Sequence, residues 1–76
     1  MIGKKEKILL AAFGRHVKMM REKKGLSLRE LSYACNIDNS KISKIEMGKI
    51  NITVLTVLEL ANGLDIHVAD LMKFQK

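Results

Sequence analysis

The chain has 76 residues, of which 47% are hydrophobic and 29% charged, a composition that indicates one globular domain and excludes a disordered chain. It contains no proline and its glycines are scattered singly, so no linker or low-complexity segment divides it. The formal net charge of +6 indicates an anionic partner, either nucleic acid or a membrane surface.

The first predicted element is a basic helix from Lys4 to Lys24, which Gly25 ends. One apolar stripe runs along it at spacings of four, four and three residues, formed by Leu9, Phe13, Val17 and Met20. Its basic start and the apolar run of residues 8–13 faintly resemble a signal peptide, but Arg15 interrupts the run and the basic helix continues beyond it. No stretch approaches the roughly 20 apolar residues of a membrane span. We therefore expect a cytoplasmic protein.

Two short helices with strong local start signals come next. Ser27 and Glu30 form a capping box, in which each side chain bonds the other residue's backbone amide, and it predicts a helix over residues 28–35. Asn36 tolerates the left-handed backbone of a sharp turn. Asp38 is then a cap for a helix over residues 39–47, which Gly48 ends.

Two further helices complete the chain. Thr53 is a suitable cap for a fourth helix that continues through Asn62, and residues 67–73 form a short fifth helix. Strand-type alternation is not sustained anywhere. The prediction is an all-α fold of five helices.

The second and third helices, with a turn of about three residues between them, make the unit that delivers a helix to DNA. Its inward residues are predicted to be Leu31, Ala34, Cys35, Ile37, Ile42 and Ile45. The outward residues of the third helix are then Ser40, Ser43, Lys44 and Met47, with Asn39 and Lys41 at its exposed start. Asn, Ser and Lys side chains bond base edges, so this third helix is the candidate recognition helix.

The segment Leu26 to Gly48, LSLRELSYACNIDNSKISKIEMG, resembles the helix-turn-helix of the phage-repressor and Cro-like (XRE-type) family. Residues 42–48 match that family's Ile-Ser-x-Ile-Glu-x-Gly position by position, and the resemblance covers about Gly14 to Met72. It implies a compact lambda-repressor-like DNA-binding domain over residues 14–76, with residues 1–13 extending the first helix. It also implies an ion pair between Arg21 and Glu46.

Three positions depart from the family pattern. Leu28 stands where the family has a glutamine that helps to clamp a phosphate, so that one contact is in doubt. Asn36 replaces the turn glycine and Ser32 replaces a small alanine where the helices cross. The fold tolerates both, because Asn accepts a left-handed backbone and Ser adds only one oxygen atom.

The interpretation is a sequence-specific, repressor-type transcription regulator that binds double-stranded DNA. The residues expected to contact base edges are Asn39, Ser40, Lys41 and Lys44. The residues expected to contact phosphates flank the groove and are Ser27, Arg29, Ser43, Lys49 and Asn51. A phage repressor, a restriction-modification controller, an antitoxin and a general regulator all remain compatible with the sequence.

A homodimer on a palindromic operator is expected, because one such domain covers only half a site. The fourth helix is predicted to turn Val54, Val57, Leu60, Ala61 and Leu64 inward. The predicted dimer interface contains the apolar residues left over, which are Leu55, Leu58, Val68, Met72 and Phe74. The alternative is that some of them fold back over the N-terminal extension.

No catalytic, cofactor, metal or small-molecule site is expected. His16 and His67 lack partners at a recognisable spacing, and the single cysteine, Cys35, excludes a disulfide framework and a zinc-finger ligand set. Two rival functions remain: a basic amphipathic helix that binds a membrane surface or calmodulin, and a protein-interaction module built on the same helix-turn-helix fold.

Overall fold

The computed structural model describes residues 3–75, which form five α-helices and, over that range, no strand. The helices are α1 (Lys4–Lys23), α2 (Leu28–Cys35), α3 (Asn39–Glu46), α4 (Val54–Gly63) and α5 (Val68–Leu71). The all-α prediction is therefore confirmed, and the first four helices begin and end within one residue of their predicted bounds. α5 is shorter than expected by three residues, because His67 is its N-cap and the chain leaves the helical conformation after Met72, its C-cap.

The start signals read from the sequence are all present as hydrogen bonds. The Ser27 hydroxyl accepts from the Glu30 amide at 3.0 Å, and the Glu30 carboxylate accepts from the Ser27 amide at 2.8 Å. The Asp38 carboxylate accepts from the Ser40 amide at 3.1 Å, and the Thr53 hydroxyl accepts from the Thr56 amide at 3.2 Å. Each cap satisfies an amide that the helix leaves without an internal partner, so it fixes where the helix begins.

The turn between α2 and α3 depends on one left-handed residue. Asn36 has φ +59° and ψ +35°, and its amide donates to the Ser32 carbonyl. Its short polar side chain makes this conformation accessible without a glycine. Ile37 follows and is buried, which anchors the turn to the core. The departure from the family's turn glycine is therefore accommodated.

The core is built from all five helices. α1 packs on α3, α2 packs on both α3 and α4, and α5 lies against α4 and α1. The largest fully buried side chains are Val17, Leu31, Ile42, Ile45, Leu60, Leu64 and Leu71. α1 runs without interruption across the boundary expected after residue 13, and Ala12 and Phe13 are buried.

Two inward assignments were wrong. Ala34 is exposed, because Leu31 and Cys35 place the buried stripe of α2 on one side and Ala34 lies about 100° round the helix from Cys35. Val54 is 77% exposed, because the buried stripe of α4 is rotated toward Thr56, which is only 5% exposed. The Thr56 hydroxyl lies 3.1 Å from that of Thr53, so its burial leaves no polar atom unpaired.

Gly14 sets the distance between α1 and α3. A Cβ atom at Gly14 would lie 2.3 Å from the carbonyl oxygen of Ile45 and 2.5 Å from that of Glu46. Both are backbone atoms and cannot move aside as a flexible side chain would. The absence of a side chain at Gly14 is what lets α1 cross the C-terminal end of α3 at this distance.

Candidate nucleic-acid interface

The outward face of α3 carries most of the predicted base-contacting residues. Ile42 and Ile45 are 0% and 2% exposed and fix the rotation of the helix about its own axis. Ser40, Lys41 and Lys44 are consequently exposed, while Asn39 is half-buried. The arrangement leaves two ammonium groups free to reach outward from a short, capped helix.

Hydrogen bonds inside the protein limit what some of these side chains offer. The Ser40 hydroxyl donates to the Asp38 carboxylate, so its oxygen remains as an acceptor. That bond, followed by the one from the Ser40 amide, lowers the pKa of Asp38. Asp38 is therefore ionised near neutral pH and stabilises the positive end of the α3 dipole.

The predicted phosphate-contacting residues lie at the two ends of the helix-turn-helix unit. Ser27 and Arg29 are exposed at the start of α2, and Lys49 and Asn51 are exposed just after α3, whereas Ser43 is half-buried. The Ser27 hydroxyl accepts from the Glu30 amide. The Asn51 side-chain oxygen accepts from the Ile52 amide at 2.9 Å, which leaves its NH₂ group as the available donor.

The ion pair implied between Arg21 and Glu46 is present in the structure. Arg21 Nε donates to Glu46 Oε2 at 2.7 Å, and a second guanidinium nitrogen donates to Oε1 at 3.1 Å. The remaining terminal nitrogen donates to the Leu26 carbonyl at 2.8 Å. Both residues are only 9% exposed, and the bond to Glu46 raises the pKa of Arg21. One guanidinium thus ties the end of α1 and the loop before α2 to the C-terminal end of α3.

The five residues of the predicted dimer interface fall into two separate places. Leu55 and Leu58 are 64% and 45% exposed on α4, and Leu58 and Val68 line one concave surface. Met72 and Phe74 line a different apolar cavity of about 200 Å³ at α1. That second cavity also contains Leu9, Leu10, Phe13, Asn51, Ile52 and Val57.

Phe74 is engaged within the chain. Its ring centroid lies 5.6 Å from that of Phe13, with the ring planes at 72°, an edge-to-face arrangement. Phe74 is half-buried as a result. Phe74 therefore covers part of α1. This agrees with the alternative in which some of these residues fold back over the N-terminal extension.

Charge is distributed unevenly along the chain. After Lys49 the only basic residues are Lys73 and Lys76, against three acidic residues, Glu59, Asp65 and Asp70. The whole positive excess therefore belongs to residues 4–49, which form α1 and the helix-turn-helix unit. The α4–α5 region is apolar and slightly acidic, which disfavours contact with a polyanion there.

Known proteins resemble this chain in both sequence and fold. A model of the family described as Helix-turn-helix matches residues 17–71, well over half of the chain. The chain belongs to the helix-turn-helix family. The resemblance to phage-repressor and Cro-like regulators is confirmed, and the protein is a DNA-binding transcription regulator.

Two solved helix-turn-helix structures illustrate the likeness. The restriction-modification controller protein C.AhdI from Aeromonas hydrophila is 32% identical, with a TM-score of 0.83 over 86% of this chain and 98% of that one. The clp gene regulator ClgR from C. glutamicum is 28% identical, with a TM-score of 0.79 over 84% of this chain and 83% of that one. A comparison with curated protein sequences finds no match.

Residues 3–75 contain no group of three His, Cys, Asp or Glu side chains that could hold a metal ion. No helix in this range is long and apolar enough to cross a membrane. His16 bonds the Asp70 carbonyl at 2.9 Å, and so links α1 to α5. Cys35 is buried, and burial raises the pKa of its thiol, which disfavours the reactive thiolate.

The helix-turn-helix match begins at residue 17, inside α1. The part of α1 before it nevertheless contributes Ala12 and Phe13 to the buried interior and Lys7 to the surface. No motif or spacing in the sequence points to a function for Lys7. Lys7 is placed near the end of α3 by contacts between residues more than 35 positions apart in the chain. Periodicity within one helix does not reveal such contacts.

Proposed function

We propose that the protein is a sequence-specific, repressor-type regulator that inserts α3 into the major groove of a palindromic operator as a homodimer. The observation that carries the proposal is the exposed, basic face of α3. Ile42 and Ile45 anchor the inner face of the helix in the core, and the Arg21–Glu46 pair anchors its C-terminal end. A rigidly placed helix presenting donors outward is what readout of base edges requires.

Base readout is assigned to Asn39, Ser40, Lys41 and Lys44. Lysine donates to the O6 and N7 acceptors of guanine, and asparagine pairs with adenine through both a donor and an acceptor. Ser40 acts as an acceptor because its hydroxyl hydrogen is engaged by Asp38. An operator half-site with both guanine and adenine is expected.

Backbone contacts are assigned to Ser27, Arg29, Ser43, Lys49 and Asn51. Four of these residues flank α3 on both sides and Ser43 lies on α3 itself, so they would orient the domain on the duplex without reading its sequence. Ser27, Arg29, Lys49 and Asn51 are exposed. Their contribution should appear mainly in the salt dependence of binding.

Dimerisation is assigned first to Leu55, Leu58 and Val68. Two neighbouring leucines exposed on a helix of so small a domain are typical of a contact surface, and a symmetric pair is the commonest outcome. Met72, which is 49% exposed, lies at the second cavity with Phe74, and both form the outer part of the proposed interface. The uneven charge supports this assignment, since it leaves the α4–α5 face free of DNA.

Selection of binding sites from randomised duplexes tests the proposal. Purified protein should enrich one palindromic sequence, and Lys44→Ala should bind it more weakly and lose preference at one base pair. Lys73→Ala is the matched control, because it removes the same charge from the exposed residue paired with Asp70 at 3.7 Å. Failure to enrich any sequence, together with weak and salt-independent binding to duplex DNA, would favour the protein-interaction module instead.

Among repressor-type regulators, the proposal favours a restriction-modification controller. C.AhdI bears that description, and nearly all of its chain is matched by this one. The selected operator is then expected in the promoter region of a methyltransferase or endonuclease gene. An operator found only at unrelated promoters would leave a general regulator as the better description. Either regulator acts on DNA in the cytoplasm.

A further inference from the structure

The first turns of α1 lie directly beside the end of the recognition helix. Gly48 ends α3 with φ +69°, and a Cβ atom there would lie 2.6 Å from the Cα atom of Ala11. The Lys49 amide donates to the Lys44 carbonyl at 2.9 Å, which closes the last turn of α3 at the same place. The segment that leaves the recognition helix therefore runs against α1 without any side chain between them.

Two lysines from distant parts of the chain meet at this crossing. Lys7 lies one helical turn before Ala11, and Lys49 follows Gly48; both are exposed. They line one concave surface of about 540 Å³ together with Ala11, Met47 and Gly48. Its lining contains two ammonium groups and no carboxylate, so its charge is uncompensated.

The nearest acidic residue in the sequence does not occupy this surface. A Cβ atom at Gly3 would lie 2.3 Å from Glu6 Oε1, so the Glu6 carboxylate is folded back on the start of the helix. Lys7 is therefore not neutralised by its neighbour. The floor of the surface, Ala11 and Met47, is apolar and suits the face of a sugar better than a second charged group.

We propose that Lys7 and Lys49 together bind one phosphate of the DNA backbone, beyond the C-terminal end of α3, and that neither lysine holds it alone. The ligand is a backbone phosphate of the same duplex because Lys49, which lines this surface, follows α3 and is already assigned to a backbone phosphate. The first turns of α1, outside the segment that the family model matches, thereby become part of the DNA-binding surface. This inference rests on the proposed function, which assigns a phosphate to Lys49, and it adds Lys7 to that contact.

Salt-dependent binding of the full chain to its selected operator and to unrelated duplex tests the inference. Lys7→Ala should lower the slope of log K against log salt by about 1.8 for the bound dimer, which is about 0.9 for one phosphate contact in each half-site. The fall in affinity between 50 and 200 mM salt should then be about 12-fold smaller than for the wild-type chain, on both duplexes. Ethylation interference should also lose one phosphate per half-site.

Lys5→Ala is the matched control. Lys5 is exposed on the same helix, but two residues correspond to about 200° of rotation, so it faces away from Lys49. It removes the same charge and should leave both the slope and the interference pattern unchanged. Neither substitution should alter the helix content measured by circular dichroism, since alanine favours helix and both positions are exposed.

Equal slopes for Lys7→Ala and Lys5→Ala, with all interfering phosphates retained, would overturn the inference while wild-type binding still supported the proposed function. A loss of preference at one base pair in Lys7→Ala would overturn it as well, because a backbone contact carries no sequence information. Absence of salt-dependent binding by the wild-type chain would refute both the inference and the proposed function.

Discussion

Removal of one partner of the Arg21–Glu46 pair should be far more destabilising than removal of an exposed charge. The two side chains are 10% and 6% exposed, and Glu46→Ala would leave a guanidinium in the interior with only the Leu26 carbonyl as partner. Breaking a buried pair in this way costs about 3–5 kcal/mol. A domain of this size has a total stability of roughly 4–11 kcal/mol, so the expected loss is a large fraction of it.

Thermal unfolding followed by circular dichroism measures this loss. At about 4–8 °C per kcal/mol for a domain of this size, Glu46→Ala should lower Tm by roughly 12 °C or more. The control is Lys73→Ala, which breaks the exposed 3.7 Å pair with Asp70 and should cost about 0–1 kcal/mol. Arg21→Met combined with Glu46→Met should recover most of the loss, since no unpaired charge then remains buried.

The recovery by the double variant is the decisive comparison. If Glu46→Ala cost no more than Lys73→Ala, the pair would be behaving as a surface ion pair and the reasoning from burial would be refuted. A double variant as unstable as the single one would show instead that the geometry of the pair, and not its desolvation, is what the fold needs.

Four further predictions concern acid sensitivity, packing, DNA contacts and assembly. The Ser27 amide lowers the pKa of Glu30, and the Ser40 hydroxyl lowers that of Asp38. Both carboxylates therefore stabilise the fold above their unfolded pKa of about 4, and this contribution is lost as pH falls through the lower folded values. Tm should consequently fall less steeply below about pH 4.5 in a Glu30→Gln, Asp38→Asn variant than in the wild type; equal steepness would mean that other groups dominate. Gly14→Ala should destabilise by about 3 kcal/mol, the upper end for overpacking, because its Cβ would meet two backbone carbonyls. Gly3→Ala, whose Cβ meets only the movable Glu6 carboxylate, should cost about 1 kcal/mol or less in the same denaturant titration. Lys44→Ala or Asn39→Ala should cost about 1–3 kcal/mol of operator affinity and relax the sequence preference at one base pair, whereas Lys49→Ala should weaken binding to all duplexes alike. If every variant of the recognition helix bound the operator as the wild type does, the assignment of α3 as that helix would be wrong. Leu55→Glu combined with Leu58→Glu should give monomers in sedimentation at micromolar concentration and should weaken operator binding. Met72→Glu should weaken the dimer as well if the second cavity belongs to the interface. A wild-type chain that is monomeric at this concentration would contradict the dimer.

The sequence by itself determined the five helices and, for the first four, their bounds. Ser27 with Glu30, Asn36, and Asp38 act on amides and backbone angles within a few residues, so their effect is the same wherever the helices later pack. The motif of residues 42–48 likewise identified the family before any contact was known. Local hydrogen bonds and periodicity carry this information, and the structure reproduces it.

Tertiary packing decided whether the residues at the edge of each helix's apolar stripe are buried or exposed. Ala34 and Val54 lie near the edge of the apolar stripe of their helices. One residue step rotates a side chain by about 100°, so at this edge the position of the neighbouring helix determines whether the side chain is buried or exposed. Thr56 can be buried on this stripe because its hydroxyl bonds that of Thr53 and is not left unpaired, which no hydropathy pattern shows.

Tertiary packing also decided which residues share the surfaces proposed for dimerisation and for DNA binding. Leu58 and Phe74 looked like one apolar patch in sequence, but Phe74 packs on Phe13 across the fold and belongs to another cavity. Lys7 and Lys49 are 42 positions apart and come together only because Gly48 packs against the Cα atom of Ala11. Such a meeting depends on how closely two backbones approach, a quantity that the pattern within either helix does not contain.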